Sequence, residues 1–138
     1  MKNVTFLDHT ADTGILVHED SLESLFSTSA KAMFHIICPR ENHNNTVQHS
    51  ITMTAPDIEQ LMVNWLSELN FLFQTEQFLL SGIPEITIDG LSLQARVSGE
   101  KVDFNKHDIE VEIKAVTYYK LYVKKTDNKW GTQIIFDI

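Results

Sequence analysis

The chain has 138 residues, 43% of them hydrophobic and 22% charged, the balance of one ordinary globular domain with material for a single core. A net charge of −8 disfavours tight independent binding to RNA, where a basic footprint supplies most of the affinity, and one cysteine excludes both a disulfide framework and a cysteine-rich zinc site. No apolar run reaches the roughly 18–20 residues that span a bilayer, and no basic region followed by an apolar stretch opens the chain, so a cytoplasmic protein is expected.

Val4-Thr5-Phe6 and Ile15-Leu16-Val17 read as short strands flanking the segment His9 to Asp12. Asp20 with Glu23 three residues later makes a capping-box pattern and opens a helix. Leu22, Leu25, Phe26, Ala30, Met33, Phe34 and Ile37 recur at helical spacing on one face, and Pro39 ends the helix. Cys38, between Ile37 and Pro39, reads as a buried structural thiol. Residues 41–46 are polar and form a loop flanked by His43 and His49, which read as scattered exposed histidines rather than ligands. Val47, His49, Ile51 and Met53 alternate as a half-buried strand.

Pro56-Asp57 starts a second helix, whose apolar stripe is Ile58, Leu61, Met62, Trp65, Leu66, Leu69 and Leu72; on such a stripe Trp65 belongs to the core. The rest is strand-rich. Ile86 and Ile88 precede the turn Asp89-Gly90, a hairpin signal, and Leu91, Leu93, Ala95 and Val97 follow on one face. Ile109, Val111, Ile113 and Ala115 make a further alternating run, then come Leu121 and Val123, and Trp130 to Phe136 is a final strand. The pattern predicts an α+β fold in one domain spanning 1–138, with two helices packed on a mixed, mainly antiparallel sheet.

Charge is uneven along the chain. Eight of the eleven Lys and Arg residues fall from Arg96 onward, and the first 95 residues carry three basic against twelve acidic side chains. Such a surface suits a partner with a basic groove, or a cation.

The catalytic inventory is thin. Asp8 and His9 are neighbours on an extended segment and point to opposite faces, so they do not orient each other as part of a triad. No nucleophile elbow, Gly-rich phosphate loop or His-Glu-x-x-His pattern is present. The carboxylates near the ends are more suggestive. Asp12 stands near the start, with Gly14 permitting a tight turn just after it, while Asp137 and the α-carboxylate of Ile138 close the chain. Domain ends are often close in space, and three acidic oxygen sources brought together would suit calcium, magnesium or manganese.

Several separated motifs, in order, resemble the archease family. They are His9-Thr10-Ala11-Asp12 followed by Gly14, Asp57-Ile58-Glu59-Gln60-Leu61 with Trp65-Leu66-Ser67-Glu68-Leu69, Ile113-Lys114-Ala115-Val116-Thr117-Tyr118, and the closing Phe136-Asp137-Ile138. The resemblance implies a small non-catalytic accessory of the RtcB-type RNA ligase, which joins RNA ends bearing a 3′-phosphate or 2′,3′-cyclic phosphate to 5′-hydroxyl ends in tRNA splicing or RNA repair. Its implied role is to promote guanylylation of the ligase and multiple turnover. It also implies that Asp12, Asp137 and Ile138 are ligands of a divalent cation, calcium first and magnesium or manganese as alternatives. His9 would orient the acidic turn, and Lys114 would belong to the functional surface, on the strand face opposite Ile113 and Ala115. Two departures from the family pattern stand out: Tyr119 occupies a position usually held by histidine, and Thr13 is a less typical neighbour of Asp12. A rival reading is a small metal-dependent hydrolase using Asp12 and Asp137 on a phosphorylated substrate; another is a chaperone-like modulator of RNA-modifying enzymes.

Overall fold

The computed structural model describes residues 1–8, 11–39 and 43–138. In chain order its elements are β1 Val4–Asp8, β2 Asp12–Glu19, α1 Leu22–Ile37, β3 Val47–Thr54, α2 Ile58–Glu76, β4 Phe78–Asp89, β5 Ser92–Lys101, β6 Ala115–Val116, β7 Tyr122–Thr126 and β8 Lys129–Asp137.

Side-chain caps and backbone stops set the helix ends. Ser21, not Asp20, is the N-cap of α1: its hydroxyl accepts the Ser24 N–H at 3.1 Å. Asp20 lies one position too early to cap and instead pairs with Lys129 at 2.5 Å. The helix stops at Cys38, whose extended backbone (φ −141°) is what the following Pro39 enforces. Asp57 caps α2 as its sequence suggests, accepting the Gln60 N–H at 2.8 Å. Gln77 ends α2 in the left-handed conformation, φ 56°.

Two helices on antiparallel strands are present as expected, but the strands divide between two sheets, and every pairing is antiparallel. The larger has the order β1-β2-β8, with β6 and β7 side by side along the far edge of β8. The smaller has the order β3-β5-β4, its β4–β5 hairpin turning at Gly90 with φ 60°. Leu91 lies in that turn and is exposed, so the apolar face of β5 begins only at Leu93.

The alternating run from Ile109 to Ala115 is not a strand, apart from its last residue in β6. Two of its backbone groups bond to the helices instead. The Glu110 N–H donates to Ile37 O at 2.9 Å, and Ile113 O accepts amide donors from α2. Without a strand here, no strand among the described residues joins the two sheets edge to edge.

The helices supply the junction. α1 packs against β2, β4 and α2. Ile15, Val17, Ile134 and Phe136 from one sheet, Leu93 and Val97 from the other, and Leu25, Phe26, Met33, Leu61, Leu66 and Leu69 from the helices belong to one buried cluster. Burying each such side chain stabilises by about 1.5–3 kcal/mol. Trp65 is fully buried, and its indole N–H donates to Phe26 O at 3.0 Å, tying α2 to α1. Cys38 is buried, as expected. No helix among the described residues is long and apolar enough to cross a membrane.

Candidate functional site

The β2–β8 register brings the two ends of the chain together. Asp12 lies directly opposite Asp137, Thr13 opposite Phe136, and Gly14 opposite Ile135. Core residues Ile15 and Ile134 hold one face of this pair. By strand alternation Asp12 and Asp137 project from the other face, away from the helices. Gly14 serves this arrangement, though not by making a turn: it lies within β2, where a Cβ would fall 2.7 Å from Ile134 O and 2.7 Å from Ile135 Cδ1. Its lack of a side chain lets Ile135 lie across it.

Like charges directly opposed across a ladder are destabilising. Here Asp137 is exposed and Asp12 half-buried, and Oδ1 of Asp12 is buried without a hydrogen-bond partner among the described residues. An uncompensated carboxylate oxygen beside a second carboxylate has the donor chemistry a hard divalent cation seeks. Ile138 follows at once, its side chain half-buried against the core. Asp12 and Asp137 are thus brought together, with Ile138 adjacent in the chain; His9 lies outside the described residues.

Lys114 reaches the same corner from the other side. Its N–H donates to Asp137 O at 2.8 Å, and Ala115 pairs with Asp137. Its side chain is exposed and Ile113 is fully buried, as strand parity predicts. Ala115 is exposed, however, and Val116 buried, because alternation breaks where the irregular segment joins β6. The chain then turns through Tyr118 and Tyr119, both more than half exposed. Tyr119 lines a recess of about 350 Å³ with Leu7, Asp12, Lys120, Gln133 and Ile135. Tyr119 therefore opens onto the same recess as Asp12.

A second polar cluster, away from this corner, was not legible in the sequence. Glu100, His107 and His43 place one ligand-type atom each within 4.8 Å of one another. His43, expected to be a scattered exposed histidine, has a side chain only 7% exposed. His49 is half-buried, edge-on to Phe78.

The hydrogen bonds of this cluster are those of a latch rather than a metal centre. The Asp103 N–H donates to His107 Nδ1 at 2.9 Å, so the neutral ring carries its proton on Nε2, the atom facing Glu100 Oε2 at 3.5 Å. That nitrogen has no lone pair to offer a cation. Lys106 Nζ holds Glu100 Oε1 at 2.9 Å, and the Asn44 N–H holds Oε2 at 2.6 Å. Burial pushes the Glu100 carboxyl up, but the Lys106 ammonium, the Asn44 N–H and His107 outweigh it and hold it below its ordinary value. Residues 100–107 supply most of the latch, and Asn44 and His43 join it from a distant segment, which no periodicity marks.

Residues 5–138 match the model of the Archease protein family. The chain is 38% identical to the protein archease of Methanosarcina mazei over 141 aligned residues, covering 99% of this chain and 97% of that one. Its fold is similar to the solution structure of protein 1598 of Methanobacterium thermoautotrophicum, with a TM-score of 0.86, 30% identity and full coverage of both chains. It is also similar in fold to an archease from Thermotoga maritima described as a possible chaperone, with a TM-score of 0.68 and 17% identity over 96% of this chain and 94% of that one.

Proposed function

Since this chain belongs to the archease family, we propose that it is a non-catalytic, cation-binding activator of an RtcB-type RNA ligase, promoting guanylylation of the ligase and its repeated turnover. The observation that carries this reading is the cross-strand pairing of Asp12 with Asp137 beside the last residue of the chain. The carboxylates of Asp12 and Asp137, with the α-carboxylate of Ile138, would hold a calcium, magnesium or manganese ion. Bound there, the ion would offset the opposed carboxylate charges and leave coordination positions for oxygen ligands of a partner or nucleotide.

The protein's own groups set the surroundings. Lys114 Nζ supplies a mobile positive charge able to meet a phosphate at the rim of the acidic corner. Tyr118 and Tyr119 present large exposed rings beside it, the kind of surface that anchors a protein partner. The net charge of −8 supports a protein partner with a basic groove over direct capture of RNA. The role is one of docking and charge placement in the partner's active site, in a protein that works in the cytoplasm on tRNA splicing or RNA repair.

The test is RNA ligation by the cognate ligase with GTP and a divalent cation, with and without this protein. Multiple-turnover ligation and ligase guanylylation should accelerate, while single-turnover joining by pre-guanylylated ligase should not. No effect on guanylylation at any GTP or cation concentration refutes the activator reading. Turnover of a phosphorylated substrate by the protein alone would favour a hydrolase instead.

A further inference from the structure

We propose that Asn70 and Gln74 of α2 are positioning residues for the acidic corner, acting through the single peptide unit that links Ile113 to Lys114. The inference rests on the reading of Asp137 as a cation ligand.

Both amides converge on one acceptor. Asn70 Nδ2 and Gln74 Nε2 each donate to Ile113 O at 2.9 Å. Spaced four apart, they lie on the same face of α2. The other end of that peptide unit is the Lys114 N–H, which donates to Asp137 O at 2.8 Å. A peptide unit is planar and stiff. Fixing its oxygen from the helix therefore aims its N–H, and the N–H in turn holds the backbone of Asp137. A chain of three hydrogen bonds and one rigid plane runs from α2 to the carboxylate pair.

Asn70 is only 5% exposed, and its Oδ1 is buried without a hydrogen-bond partner among the described residues. A leucine at that position would avoid the desolvation of an amide that is only half satisfied. The hydrogen bond it does make is the one that reaches the acidic corner.

A second grip fixes the register. Tyr118 O–H donates to Gln60 Oε1 at 2.7 Å, near the start of α2. From Gln60 to Asn70 the helix advances about 15 Å, and five extended residues from Ile113 to Tyr118 span about 16 Å. The segment thus lies antiparallel along α2, held at both ends at matched spacing, and Lys114 sits just inside the amide grip. Ala115 already pairs with Asp137, the last residue of β8, so in this register Ile113 has no β8 residue opposite it and its carbonyl is left for the α2 amides.

Gln74→Glu and Asn70→Asp keep side-chain shape and remove the donor. They are to be compared, singly and together, with wild type and with Met62→Ala, a buried core change on the same helix that removes no hydrogen bond to Ile113 O. The readouts are hydrogen exchange of the Lys114 amide and calcium affinity by calorimetry. Gln74 is exposed, so its variant reports even if Asn70→Asp fails to fold. Removing both donors should speed Lys114 exchange about tenfold or more, as expected for two ordinary hydrogen bonds, and weaken calcium binding several-fold; Met62→Ala should do neither. Unchanged Lys114 exchange in the donor variants, an equal change in Met62→Ala, or faster exchange with undiminished calcium affinity overturns the proposal. If wild type binds no calcium, the metal reading fails instead, and the exchange measurements still decide whether the amides position Lys114.

Discussion

Asp12 and Asp137 face each other across β2 and β8, so two carboxylates share one face of the sheet at cross-strand spacing, with Cβ atoms about 4.5–5.5 Å apart. In the absence of a cation this pair opposes folding. Asp137→Asn should therefore leave melting in chelator unchanged or raise it, by up to about 1 kcal/mol of stability, while calcium, expected to raise the melting of wild type, should not raise that of the variant. Thermal melts of both proteins with EDTA and with calcium check this. A variant less stable than wild type in EDTA, with its calcium response intact, would contradict it.

Extending the chain past Ile138 replaces an α-carboxylate with a neutral peptide carbonyl. Calcium affinity and ligase activation should fall together. An extension before Met1 should leave both near wild type, and titration calorimetry on the two tagged forms separates these outcomes.

Lys114 is exposed and its N–H bond to Asp137 is a backbone one, so Lys114→Ala removes charge without removing structure. Stability should change by no more than about 0.5 kcal/mol, with ligase activation clearly weakened. A large drop in melting temperature would assign Lys114 to the scaffold.

Gly14→Ala places a methyl 2.7 Å from both Ile134 O and Ile135 Cδ1. One of those atoms is backbone, and relief requires β2 and β8 to separate locally. Destabilisation of about 1–3 kcal/mol is expected, as for other overpacked sites. Chemical denaturation measures it, and a neutral result would mean that the strands part freely at this point.

The Glu100 latch makes a pH prediction. Its folded carboxyl titrates below its ordinary value of 4.5, so its contribution to stability is full above that value and is lost as pH falls through the lower folded value. Wild type should lose its stability advantage over Glu100→Gln as pH is lowered below about 4.5. Melting temperatures of the two across that range should converge; a constant gap would show that the carboxylate charge is irrelevant.

Both helices were legible because amphipathic spacing and caps are local signals, although the α1 cap shifted from Asp20 to Ser21, two residues that neighbour each other and both cap well. The carboxylate pair was legible only as two ends that might meet; its register depends on pairing across nearly the whole chain. The failed strand from Ile109 is more instructive. Alternation records which side chains are buried, and Ile113 is buried. It does not record where the backbone bonds go, and here α2 takes them. The His43–Glu100–His107 cluster joins the stretch from Glu100 to His107 with a residue nearly sixty positions earlier and left no periodic mark at all.

The partnership of β2 with β8 also has a kinetic meaning. Closing residue 12 onto residue 137 encloses almost every other residue in one loop, and the entropy of that closure must be met before the contact rewards it. Hairpins such as β4–β5, β1–β2 and β7–β8 can form early, whereas the joining of β2 to β8 is the long-range step that completes the larger sheet. The acidic corner should therefore be absent from any partly folded form. Cation binding at Asp12 and Asp137 would then report completed folding, and its appearance during refolding should coincide with the slowest phase.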